Sequence, residues 1–81
     1  MAKPSPKHSG DLIFTSLGSV IREKRLEMKL SQEALAVEAE LDRSYMGGIE
    51  RGEHNLTLIN LLKIANALKT KPSELLLSSN F

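Results

Sequence analysis

The chain has 81 residues, no cysteine, a formal charge of +1 and an apolar fraction of 41% with only 4% aromatics. That composition bounds it to one domain with an aliphatic core. It rules out disulfides and thiolate metal sites and gives no uniformly cationic surface of the kind that coats nucleic acid.

Residues 1–10, MAKPSPKHSG, carry Lys3, Lys7, Pro4, Pro6 and Gly10 and read as a flexible basic arm. The apolar stretch that follows is too short for a secretory signal. No run approaches the ~20 apolar residues of a membrane span, so a cytoplasmic protein with no membrane association is expected. The ordered domain is expected to occupy residues 11–78.

From Leu12 to Lys29 the period is helical, with Leu17, Val20, Ile21 and Met28 on one stripe and Ile13 a turn earlier. Arg25 falls on that same stripe, and a guanidinium facing a core needs a partner. Basic residues Arg22, Lys24, Arg25 and Lys29 gather here, whereas Ser31 to Glu40 holds Glu33, Glu38 and Glu40 and no base. Ser31 offers an N-cap with Glu33 in the first turn. Leu35, Ala36 and Ala39 then make a narrow face on which another helix can pack closely. Asp42 caps a third helix running to about Arg51, with Met46, Ile49 and Glu50 inward and Gly52 as its stop. So short a connection between the second and third helices leaves room only for a sharp helix-turn-helix.

Thr57 caps a fourth helix reaching about Lys69, with Leu58, Leu61, Leu62, Ala65 and Leu68 expected inward. Pro72 suits the first turn of a fifth, ending near Leu77, and residues 79–81 are expected to fray. The fold class is therefore all-α, a compact bundle of five helices. Gly47 and Gly48 stand out inside the third helix, where each costs roughly 0.8–1.0 kcal/mol relative to alanine.

The segments LSQEALA, LDRSYMGGIERG and LLKIANALKTKPSELL resemble the helix-turn-helix domain of the Xre/lambda-repressor-like family, and LDRSYMGGIERGEHNLT is most similar to restriction–modification controller proteins. The resemblance implies a five-helix bundle that binds palindromic double-stranded operator DNA as a homodimer and regulates transcription. Residue by residue, it implies that Arg43, Ser44 and Tyr45 face base edges, with Gly47 and Gly48 on the same outward surface. Gln32, Arg51, His54 and Asn55 would contact phosphates. It also implies a structural ion pair between Arg25 and Glu50, two residues that periodicity places on core-facing stripes. Three departures from the family pattern stand out. Glu40 occupies a turn position usually given to glycine, so a left-handed residue is expected there at a cost of order 1 kcal/mol. Leu56 replaces a common proline. Gly48 stands where family members carry a base-reaching side chain, so readout would rest mainly on Arg43 and Ser44 and on DNA shape.

Leu56, Ile59 and Leu77 are apolar residues left over once each helix has a core face, and are expected to form the dimer interface. An alternative function is protein binding on the same fold, as in an antitoxin. An enzyme is not expected. His8 and His54 sit in unrelated settings, no phosphate-cradling loop or metal spacing is present, and Glu38, Glu40 and Asp42 flank a turn. No catalytic residue, cofactor, metal or small-molecule ligand is anticipated.

Overall fold

The computed structural model describes residues 11–81, all of its secondary structure helical; the basic arm lies outside the described residues. Five helices follow in order: α1 (Leu12–Glu27), α2 (Gln32–Ala39), α3 (Arg43–Glu50), α4 (Leu58–Ala67) and α5 (Pro72–Ser78). Caps begin three of them. The Ser31 hydroxyl accepts from the Ala34 N–H at 3.0 Å, the Asp42 carboxylate from Tyr45 N–H at 3.2 Å, and the Thr57 hydroxyl from Asn60 N–H at 3.1 Å. Each satisfies a backbone donor that the helix itself leaves unpaired.

All five helices end alike. Lys29, Glu40, Gly52, Lys69 and Asn80 each have positive φ. The next residue then donates its N–H to the carbonyl five positions back: Leu30 to Arg25, Leu41 to Ala36, Glu53 to Gly48, Thr70 to Ala65 and Phe81 to Leu76, at 2.8–3.1 Å. This left-handed closure is the one usually given to glycine, yet only Gly52 is one. At Gly52 the reason is steric as well as conformational, because an added Cβ would sit 2.6 Å from the Cα of Thr15 on α1. The same closure corrects the expectation of a frayed end. Ser79 is buried, its hydroxyl donates to the Leu75 carbonyl at 2.6 Å, and Phe81 is tied back to α5.

The core runs through all five helices: Leu17, Val20 and Ile21 from α1, Leu35, Ala36 and Ala39 from α2, Met46 and Ile49 from α3, Leu61, Ile64 and Ala65 from α4, and Leu75 from α5. Three expected core positions are instead exposed. Leu62 is one residue round from the buried stripe of α4 and points away from it; Leu58 and Ile13 lie in first turns. Side chains there lean back past the helix start, where nothing covers them. Ile64, not among the expected inward residues, is fully buried.

Gly18 fixes the crossing of α1 and α3. A Cβ at that position would meet the Ile49 carbonyl oxygen and lie 2.7 Å from that of Glu50. The two backbones approach as closely as a missing side chain allows, and α3 is seated directly on α1.

Candidate nucleic-acid interface

The inner side of α3 is locked. Arg25 Nε donates to Glu50 Oε2 at 2.7 Å and Arg25 Nη2 to Glu50 Oε1 at 3.1 Å, with only 9% and 2% of the two side chains exposed. Arg25 Nη1 donates to the Leu30 carbonyl at 2.8 Å, and Gln32 Nε2 donates to Glu50 Oε1 at 2.9 Å. No buried side-chain polar atom among the described residues is left without a partner, the condition for an ion pair to be held away from water. The network joins α1, the start of α2 and the end of α3, so the angle between the two short helices is set from inside.

The outer side begins with Arg43 and Ser44, both exposed in the first turn of α3. Tyr45 is half-buried; its hydroxyl accepts from Asn60 Nδ2 at 3.0 Å, and its ring lies 4.8 Å from that of His54. Asn60 was not anticipated as a contributor. The signal available was Tyr45 itself, since a half-buried tyrosine hydroxyl needs a hydrogen-bond partner; nothing local to Asn60 marks it as that partner.

Gly47 and Gly48 are buried, not bare outward surface. An added Cβ on Gly47 would meet Arg51 Nη1 at 3.2 Å and Gln32 Oε1 at 3.4 Å; one on Gly48 would collide with His54 Nε2 and lie 2.6 Å from His54 Cδ2. The turn after α3 thus folds two polar side chains back across its outer face, and the glycines make room for them. Arg51 is itself paired, its Nε and Nη2 donating to Glu53 Oε2 and Oε1 at 2.8 and 3.1 Å. The pair is open to solvent. Glu53 pulls the Arg51 guanidinium pKa up through the hydrogen bond and its charge; Arg51 holds the Glu53 carboxyl below its ordinary range in the same way, the hydrogen bond leading. Glu53 and Gly18 went unnoticed in the sequence, although an isolated glycine in a helical pattern does signal close packing.

Gln32, Gly47 and Arg51 therefore gather at one place, and Tyr45, Gly48 and His54 at a second beside it on the same helix. Asn55 is exposed in the loop beyond. Leu56 departs from expectation: it is half-buried against the core, whereas Ile59 and Leu77 are exposed at 63% and 69%.

A short helix fixed from behind, opened by an exposed arginine and serine and preceded by a second helix across a tight turn, defines a helix-turn-helix DNA-binding protein. The comparisons agree. The helix-turn-helix family model HTH_3 matches residues 21–75. The control protein C.BamHI of Bacillus amyloliquefaciens is 45% identical over 60 residues, 73% of this chain and 74% of that one. The control protein C.SmaI of Serratia marcescens is 43% identical over 70 residues, 82% and 83% of the two chains. Among solved structures, the restriction-modification controller protein C.AhdI from Aeromonas hydrophila superposes with a TM-score of 0.74 at 51% identity, covering 80% of this chain and 96% of its own. The chain belongs to the helix-turn-helix family of DNA-binding transcription regulators, and its similar relatives are regulators and not enzymes. None of its described helices is long and apolar enough to cross a membrane.

Proposed function

We propose that this protein is a cytoplasmic restriction–modification controller whose residues 11–81 form one DNA-binding unit that reads a palindromic operator as a homodimer. The observation that carries this reading is the exposure of Arg43 and Ser44 at the start of a helix whose opposite face is fixed by the Arg25–Glu50–Gln32 network. Arg43 offers the bidentate fork suited to guanine O6 and N7, and Ser44 a hydroxyl for either a donor or an acceptor base edge. Tyr45, held by Asn60 and His54, packs at the groove wall beside the filled glycine positions. Gln32, Arg51, His54 and Asn55 orient the domain on phosphates, which gives affinity and register but no sequence information. Exposed Ile59 and Leu77, together with half-buried Leu56, supply the apolar contact between two copies. The two reading helices would then stand about 34–36 Å apart, one turn of DNA.

Selection from a random duplex library tests this, followed by binding of the recovered duplex with wild type and Arg43→Ala. An inverted repeat with turn-sized spacing is expected, and Arg43→Ala is expected to relax one base pair per half-site by roughly 1–3 kcal/mol. Recovery of no motif, with weak binding that depends only on salt, would overturn the reading in favour of a protein partner such as a toxin.

A further inference from the structure

The outward face of α3 lacks side chains of its own at Gly47 and Gly48, and the residues that cover it come from the next turn. Arg51 is the cationic one. A guanidinium has five N–H donors. Glu53 takes one from Nε and one from Nη2, which leaves both donors of Nη1 and the second donor of Nη2, and of these one from each nitrogen makes up the adjacent, end-on edge. Nη1 is also the atom that lies 3.2 Å from where a Cβ of residue 47 would stand. The planar group is thus gripped along one edge by a carboxylate, laid across the Gly47 backbone, and presents a second bidentate edge that no described residue takes up. For a long arginine side chain at a helix end, with 60% of its surface exposed, the Glu53 pair is the contact among the described residues that holds it there.

We propose that Glu53 is a positioning residue for DNA recognition: it holds the Arg51 guanidinium across Gly47, so that this arginine presents paired donors where the reading helix has no side chain. The proposal rests on the operator-binding function argued above. The matching chemistry is a pair of acceptors about as far apart as guanine O6 and N7 or two phosphate oxygens. Glu53 lowers the local positive charge, so a purely electrostatic account predicts that removing it tightens binding to every duplex. Positioning predicts the reverse.

The test uses the full chain and the duplex recovered by selection, with a scrambled duplex as control, comparing wild type, Glu53→Ala, Glu53→Gln, Arg51→Ala and the Glu53→Ala/Arg51→Ala double variant. These side chains are exposed, so circular dichroism and melting should be unchanged. Glu53→Ala is expected to weaken binding to the selected duplex roughly tenfold, Glu53→Gln less, and the loss is expected to vanish in the Arg51→Ala background. A loss expressed as relaxed preference at one base pair assigns the acceptors to guanine. An equal loss on both duplexes, with the salt dependence shallower by about one phosphate contact, assigns them to the backbone. Unchanged or tighter binding of Glu53→Ala on the selected duplex overturns the proposal. A wild type that prefers no duplex overturns the operator reading itself, and this inference with it.

Discussion

The Arg25 guanidinium and the Glu50 carboxylate meet edge to edge where α1 crosses α3, at 2.7 and 3.1 Å, and Gln32 takes the remaining capacity of one carboxylate oxygen at 2.9 Å. Glu50→Ala leaves a buried cation with only the Leu30 carbonyl, and should cost about 3–5 kcal/mol in urea denaturation at neutral pH. That is a large part of the stability typical of a small domain, about 5–15 kcal/mol. Replacing both partners with apolar residues, Arg25→Met with Glu50→Leu, should cost far less than the single change, because no charge is stranded. A Glu50→Ala midpoint equal to wild type would mean that the pair opens to water.

Gly18→Ala should destabilise although it improves helix propensity. The atoms nearest the methyl group are not the movable end of a side chain; it meets the backbone carbonyls of Ile49 and Glu50. Overpacking of this kind costs about 1–3 kcal/mol, more than the roughly 0.8–1.0 kcal/mol that alanine returns in a helix. A denaturation midpoint above wild type would show that α1 and α3 can separate without loss.

Gly48→Ala behaves differently, because its methyl group meets the tip of a side chain. His54 can swing outward, giving up its contact with Tyr45. The helix gains roughly 0.8–1.0 kcal/mol and loses an aromatic contact of about 0.5–1.5 kcal/mol, so stability should change by less than about 1 kcal/mol. The change should be visible instead as loss of the Tyr45–His54 ring proximity in NMR spectra. Persistence of that contact in the variant would contradict the packing described for this face.

The bundle itself was legible because its signals are local. Ser31, Asp42 and Thr57 announce helix starts, and the periodicity that buries Ile21 and Ile49 also carries Arg25 and Glu50 inward. What was not legible depends on chain returning over itself. Gly47 and Gly48 suggest an open surface until Arg51 and His54 are seen folded across them, four and six residues on from those glycines. The left-handed endings at Lys29 and Lys69 carry no glycine to mark them, and Asn80 seals an end that composition alone suggests will fray. Leu58 keeps the helical register of the core but lies too near the start of α4 to be covered.

Glu53 should titrate below the ordinary carboxylate range in carboxyl-detected NMR, and Arg51→Ala should return it upward, since the Arg51 hydrogen bond is the leading cause of its shift. A depressed folded-state pKa means that the pair's stabilisation is present above the unfolded value and is lost as pH falls through the folded one. Both groups are exposed, so the effect on global melting should be small. A Glu53 titration that ignores Arg51→Ala would show that the ion pair does not persist in solution.

Glu40→Gly should stabilise the turn between α2 and α3. Glu40 holds φ near 60° and closes α2 through the Leu41 N–H to Ala36 carbonyl bond of 2.8 Å. Its side chain is exposed and appears in no hydrogen bond or ion pair among the described residues, so its removal forfeits no contact. A non-glycine residue in the left-handed region costs about 1–2 kcal/mol; glycine removes that strain but adds freedom to the unfolded chain worth about 0.4–1 kcal/mol. The difference favours glycine by up to about 1.6 kcal/mol. The closure geometry stays the same, so DNA affinity should not move while the melting temperature rises. A variant that melts higher but binds less tightly would show that the stiffness of this turn, and not only its angle, contributes to reading.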